Sequence, residues 1–442
     1  MQRIISSFSI DEIVKFKQQL LCWSQQFQTA IFLDSNNYHQ QYSSFDAVLA
    51  VDEFTCIKTD FHSAFEKLQE YQTTTKDYIF GYISYDVKND IEQLSSTNFD
   101  GLDFADLFFF QPQKIIFVKG NSVEFHYLKM VDDEIDIDFN AIQQSTNTTI
   151  QQSKPLDCTR VDKNSIKIKL RIHKDEYHQK VTTILQHIQR GDIYEANFCQ
   201  EFYAENTEIN PLEVYQDLNR ISEPPFAVFL KMNHQYLLSA SPERYLRKEG
   251  NKIISQPIKG TAKRLKSKFD DEKIASDLAR DSKERTENVM IVDLVRNDLS
   301  KSAIKGSVKV EELCKVYSFK QVHQMISTVV SEMDENTSPI LVIKDTFPMG
   351  SMTGAPKVSA MKIIEKQEVT KRGLYSGTVG YFTPNGDFDF NVVIRSILYN
   401  QEKKYVSYSV GSAITAKSNP EKEYEECLLK AKAMKYVLLK SV

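Results

Sequence analysis

Apolar positions along this chain recur with two periods. TAIFLD (29–34), DYIFGYISYD (77–86) and FFFQPQKIIFVK (108–119) are short apolar runs rich in β-branched and aromatic residues, and they predict strands. IDEIVKFKQQLLCW (10–23) spaces its apolar residues at helical intervals instead. AIQQSTNTTIQQSKP (141–155) is polar and aperiodic, as a linker or exposed loop would be. Beyond it, HKDEYHQKVTTILQHIQRGD sets Tyr177, Val181, Ile184, Leu185 and Ile188 on one helical face, with Gly191 as its stop. Later segments mix strands (FAVFLKM, QYLLSA, KIISQPI, FDFNVVIRSILYN, KYVSYSV) with helices (KERTENVMIVDLVRNDL, APKVSAMKIIEKQ, PEKEYEECLLKAKAMKYVLLK). Because the strands come in antiparallel-looking runs instead of strict βα alternation, the expected class is α+β. The expected division is an N-terminal subdomain over 1–145, a linker over 146–164 and a larger domain over 165–442.

Composition narrows the function. A chain of 442 residues, 41% hydrophobic and 26% charged, can bury a large core. Its formal net charge of -5 and the lack of a dense Lys/Arg block give no attraction to nucleic acid or an anionic membrane, so small-molecule chemistry is expected. The six cysteines show no CxxC spacing, which argues against a disulfide framework or a zinc site and suits a reducing compartment such as the cytoplasm. The first residues, MQRIISSFSIDEIVKF, contain no continuous apolar segment, and no 18-residue apolar run follows; neither a signal peptide nor a membrane span is expected.

Four carboxylates carry candidate chemistry. Glu284 and Glu287, and again Glu423 and Glu426, stand three apart, so each pair shares one face of its helix. An all-carboxylate site without His or Cys suits a hard cation such as Mg²⁺. The same residues also suit helix starts: Asp281 and Glu284 have capping-box spacing, and Asn419, Pro420 and Glu421 read as N-cap, N1 and N2. FPMGSMTGAPKVSAM gathers Gly350, Ser351, Thr353 and Gly354 ahead of Pro356 at an expected helix start, which is either an anion site or an ordinary cap. Arg395, in the apolar strand FNVVIRSIL, needs either an internal carboxylate or that of a ligand.

In this order, GDIYEANFCQEF (191–202), SASPERYLR (239–247), PIKGTAKR (257–264), KERTENVMIVDLVRNDLSK (283–301), TGAPKVSAM (353–361), GLYSGTVGYFTPNGDFDFNVVIRS (373–396) and SNPEKEYEECLLKAKAM (418–434) resemble the chorismate-utilising enzymes. These blocks cover most of 165–442; the N-terminal part is similar chiefly through GYISYD (81–86). The resemblance implies two interleaved subdomains forming a β-sandwich flanked by helices.

It also implies a role for Lys259. Anthranilate-forming members usually read PIAGT, whereas PIKGT resembles the members that aminate chorismate to 4-amino-4-deoxychorismate. In those, this lysine adds at C2 as the C4 hydroxyl leaves, and ammonia then enters at C4 and displaces it. A nucleophilic lysine must be desolvated or near positive charge to lose its proton, which a closed cleft holding Mg²⁺ and Lys430 would supply. The glutamate of SPER, here Glu243, is implied as general acid, although its sequence neighbours Arg244 and Arg247 also suggest a plain ion pair. The resemblance further assigns Glu287 and Glu426 as direct Mg²⁺ ligands with Glu284 and Glu423 behind them, Tyr375 and Arg395 to the enolpyruvyl carboxylate with backbone N–H groups around Gly411 and Ala413, Ser351 to the ring carboxylate, and Lys430 to the rim of the metal site.

Three positions depart from the family pattern. Gln324 stands where histidine is frequent, with His323 one position earlier; strand alternation aims the two to opposite faces. The turn at Gly411–Ala413 reads GSA. Glu195 replaces the water-activating lysine of isochorismate- and salicylate-forming relatives, which argues against water as nucleophile. No GxCxGxQ-like elbow is present, so the resemblance implies a separate glutamine amidotransferase subunit as ammonia source, and a separate lyase on the way to 4-aminobenzoate and folate. The alternative readings are an anthranilate synthase component I and a catalytically silent chorismate- or partner-binding subunit.

Overall fold

The computed structural model describes residues 2–38, 41–145, 166–320 and 322–440, so the expected linker 146–164 lies outside the described residues. Strand pairings cross between the two halves of the sequence. Thr29–Asp34 pairs antiparallel with Ala47–Thr59 on one side and with Phe226–Met232 on the other. Ile79–Ile83 lies between Leu107–Lys119 and Thr378–Phe382. The architecture is therefore the expected α+β arrangement, and its N-terminal strands are interleaved with the C-terminal ones in one hydrogen-bonded network.

The apolar runs explain the layering. In Thr29–Asp34 and Phe226–Met232 successive side chains enter different cores: Ala30, Phe32, Ala227 and Phe229 join one cluster, while Ile31, Val228 and Leu230 join the other. A strand buried on both faces has no polar side, which is why TAIFLD and FAVFLKM do not alternate. The first core is closed by helices, among them Ile13–Trp23 through Phe16 and Leu20, Lys174–Gln189 through Tyr177, Val181 and Ile184, and Pro420–Lys440 through Cys427 and Met434. The second core takes Ile291, Val292 and Val295 from the helix Ser282–Ser300.

Two sequence expectations need correction. FDFNVVIRSILYN is not one strand: Phe388–Asn391 and Ser396–Asn400 are separate, and Arg395 between them has a left-handed backbone with φ of 54°. The interruption lets the chain leave one pairing, with Arg244–Glu249, and enter another, with Gln235–Ser241. Likewise Gly350–Thr353 does not lead straight into a helix. Gly350–Met352 is a single 3₁₀ turn, Gly354–Ala355 forms a short antiparallel pairing with Glu195–Ala196, and the helix runs over Lys357–Gln367. The free N–H groups expected at a helix start there are consequently divided between a turn and a strand.

Candidate active site

The predicted residues converge from five elements. Lys259 lies in the strand Ile258–Lys263, which pairs with Val322–Glu332 and packs under the helix Ser282–Ser300. Asn288 of that helix, a buried residue absent from the sequence reading, fixes the lysine's backbone by donating from Nδ2 to the Lys259 carbonyl (3.1 Å) and the Met325 carbonyl (3.2 Å). The Lys259 Nζ donates to Glu195 Oε1 at 3.0 Å and stands 3.9 Å from Glu287 Oε2.

Carboxylates dominate this environment. Burial pulls the Lys259 pKa down, but Glu195, Glu287 and Glu426 outweigh it and raise the value above that of an ordinary lysine. Lys430 does not oppose this, because its ammonium is bound to Glu426 Oε1 (2.6 Å) and to the Gly411 carbonyl (2.9 Å). With the carboxylates unneutralised, Lys259 is an ammonium.

The helix starts that carry the four glutamates are capped, and the glutamates also share one cleft. Asp281 Oδ1 accepts from the Glu284 N–H at 2.9 Å, and Asn419 Oδ1 accepts from the N–H groups of Glu421 and Lys422 at 3.1 and 3.2 Å, so both helix starts are capped as expected. The two first turns nevertheless face one cleft, because Lys283 senses Glu287, Glu284, Glu423 and Glu426 together, and its Nζ lies 3.7 Å from Glu287 Oε1. Burial raises the pKa of Glu284 and of Glu287, with Lys259 and Lys283 pulling against it. Glu426 is also pushed up by burial, but Lys430, Lys259 and Lys283 more than offset this and leave its pKa lowered. Glu423 is buried and accepts a hydrogen bond from Ser412 Oγ, which ties it to the strand Tyr405–Thr415. Lys283 was missed by the sequence reading, although its i,i+4 spacing to Glu287 was visible.

Among the described residues no group of three or more carboxylates already converges as a metal cage. A Mg²⁺ site does not require one, since one or two carboxylates, waters and an anionic ligand complete its shell. Glu284 and Glu287, half-buried and held above their usual pKa, with the buried Glu423 and the more exposed Glu426, form a donor set that fits such an ion.

Glu243 sits in the turn between Gln235–Ser241 and Arg244–Glu249, 5% exposed. Burial raises its pKa to about 7, with Ser351 and Lys259 pulling weakly the other way. The plain ion-pair reading fails: Arg244 Nε and Arg247 Nη1 each bind Asp389 at 2.9 Å. Ser351 lies beside Glu243, and its buried hydroxyl completes no hydrogen bond.

On the far side, Tyr375 is buried with its hydroxyl 4.0 Å from Cys199 Sγ. Arg395 forms no ion pair among the described residues; its Nη1 reaches only the Lys430 carbonyl, at 3.5 Å. Burial lowers its pKa, and Tyr375 and Glu426 offset this only in part. Gly411 and Ala413 face Cys199 and Asn197 in the ladder with Glu195–Ala204. A Cβ on Gly411 would lie 2.7 Å from Asn197 Oδ1, a packing demand the motif alone did not reveal. On its other side, among the described residues, the strand is paired at Tyr405–Ser407 and not at Gly411–Ala413. His323 and Gln324 also differ in their surroundings. His323 is held by Asp271 (3.0 Å) and Ser318 (2.8 Å), whereas the Gln324 amide oxygen is buried without a partner.

This cleft gathers three lysines, Lys259, Lys283 and Lys430, among facing glutamates, and the comparisons bear on the fold and the family. The chain superimposes on the anthranilate synthase component I of Streptococcus pneumoniae TIGR4 with a TM-score of 0.74 at 23% identity, over 90% of this chain and 94% of that one. Residues 23–436 match the family described as chorismate binding enzyme, and the chain belongs to it. It is 30% identical to the aminodeoxychorismate synthase component 1 of Bacillus subtilis (strain 168) over 391 residues, 86% of this chain and 81% of that protein. It is 40% identical to the aminodeoxychorismate synthase of Streptomyces griseus over 266 residues, 60% of this chain but only 36% of that relative's length.

Proposed function

We propose that this protein converts chorismate and ammonia to 4-amino-4-deoxychorismate. The observation that carries the reading is Lys259 placed in the same cleft as a glutamate, Glu243, whose carboxyl keeps its proton to about pH 7. The amination named in the Bacillus and Streptomyces relatives supports it. Tyr375 and Arg395 hold the enolpyruvyl carboxylate and Ser351 the ring carboxylate, with N–H groups near Gly411 and Ala413 completing the anion site. Glu287 and Glu426 would hold Mg²⁺, supported by Glu284 and Glu423, with Lys430 at the rim. When bound, the ion supplies positive charge that attracts the ring carboxylate and cancels carboxylates that keep Lys259 protonated.

Lys259 releases its ammonium proton to solvent, the neutral amine forms a bond to C2, the ring double bonds shift, and the C4–O bond breaks. Glu243 gives its proton to the departing hydroxide, and water leaves. Ammonia forms the C4–N bond, the double bonds return, and the C2–N bond breaks with its electron pair restored to Lys259. The proton shed by the new amine recharges Glu243. Ammonia comes from glutamine through a separate amidotransferase subunit, and the product goes to a lyase that makes 4-aminobenzoate for folate, in the cytoplasm.

The test is a mass spectrum of the products from purified protein, chorismate, Mg²⁺ and ammonium chloride at mildly alkaline pH. Aminodeoxychorismate is expected. Anthranilate with pyruvate, or unchanged chorismate, rejects the reading.

A further inference from the structure

Along Glu195–Ala204, the side chains of Glu195, Asn197 and Cys199 share one face. That face looks onto the cleft: Asn197 Nδ2 donates to the Ser351 carbonyl at 3.1 Å, and Cys199 Sγ lies 4.0 Å from the Tyr375 hydroxyl. Glu195 ends the row with its side chain 2% exposed. One carboxylate oxygen, Oε1, is taken by Lys259 Nζ; the other, Oε2, is buried and has no hydrogen-bond partner. The backbone beneath is fixed, since a Cβ on Gly354 would fall 2.1 Å from the Glu195 carbonyl oxygen. Leaving a buried carboxylate oxygen unpaired is costly, so a fixed one facing a reaction cleft suits a hydrogen-bond donor. With Glu287 adding negative charge nearby, the fitting occupant is small, rich in N–H groups and neutral or cationic.

We propose that Glu195 positions both nitrogens of the reaction: Oε1 holds the Lys259 amine, and Oε2 accepts a hydrogen bond from the incoming ammonia or ammonium. This rests on the amination reading and adds to it a binding subsite for the nitrogen donor. The step is association alone; no bond forms or breaks on Glu195.

The experiment titrates ammonium chloride at saturating chorismate and Mg²⁺, with ionic strength held by potassium chloride, for the wild type and for Glu195→Gln. Loss of a charge-assisted hydrogen bond raises the ammonium KM at least about tenfold, while the chorismate KM stays within about twofold. Glu195→Asp, which keeps the charge but withdraws it, falls between the two and serves if the Gln variant does not fold. An ammonium KM that is unchanged in a folded variant, or that moves in step with the chorismate KM, overturns the inference: water or nothing then occupies Oε2. A wild type that does not aminate chorismate overturns the functional reading itself, and the inference with it, before any variant is measured.

Discussion

Arg395 Nη1 lies 3.5 Å from the backbone carbonyl of Lys430 in the last helix. The sequence left two partners open for this arginine, and among the described residues no carboxylate forms an ion pair with it, Glu426 acting only from a distance. A half-buried guanidinium without an ion-pair partner is a cost to the folded protein that a bound carboxylate removes. Arg395→Met is therefore expected to leave the melting temperature of the ligand-free protein unchanged or higher, and to raise the chorismate KM at least about tenfold. Thermal melts and saturation kinetics on one preparation check both. A lower melting temperature with an unchanged KM would assign the arginine to the fold.

Glu243 gives a pH signature. Its pKa of about 7 lies above the ordinary 4.5 because burial disfavours the carboxylate. If its proton is used in the reaction, kcat falls as pH rises above about 7, and Glu243→Gln loses about 100-fold to 10,000-fold. Stability follows a sign of its own. A raised folded-state pKa gives a contribution that is complete below about 4.5 and lost as pH climbs through about 7. The Gln variant should accordingly match the wild type in stability near pH 4.5 and exceed it above pH 7, by on the order of 3 kcal/mol at most. Denaturant melts across that range are the measurement.

Much of this was legible in the sequence because local pattern and tertiary role coincide there. TAIFLD, FAVFLKM and the helix face of Tyr177, Val181 and Ile184 are apolar for the same reason that they are buried. The paired glutamates were visible through helical spacing, and the capping reading proved compatible with the cleft reading instead of competing with it. What stayed hidden depends on long-range contact. Asn288 looks like any polar helix residue until it meets the Lys259 carbonyl across an interface, and Lys283 looks like solvent-facing charge. The break at Arg395 lies inside an uninterrupted apolar run, where periodicity has no marker for a residue of positive φ. That three carboxylates from elements far apart in the chain surround Lys259 and raise its pKa was equally hidden.

Magnesium removal and Glu287 test the carboxylate face together. In the wild type, Mg²⁺ added with chorismate should raise the melting temperature, because a ligand that binds only the folded state stabilises it. Glu287→Ala should abolish that rise along with amination. Glu423→Gln, altering a buried group that receives the Ser412 hydroxyl, should weaken Mg²⁺ affinity by about 10-fold to 100-fold without abolishing it. Calorimetric titration of magnesium chloride separates the two. Equal affinity in wild type and Glu287→Ala would mean that these acids serve their helix starts alone.

Lys259 is the sharpest case, because it has two separable functions. It is the proposed nucleophile, and it is the cation that balances the buried Glu195 at 3.0 Å. Lys259→Ala removes both: amination should be lost, and the protein should be destabilised by on the order of 3 kcal/mol because a buried carboxylate is left unpaired. Adding Glu195→Gln to Lys259→Ala takes that charge away and should restore most of the stability while restoring none of the activity. Intact-mass spectra of protein mixed with chorismate and Mg²⁺, without ammonium, should show an adduct in the wild type and in neither variant. Should the double variant regain amination as it regains stability, the lysine is a structural counter-ion, and the covalent role falls.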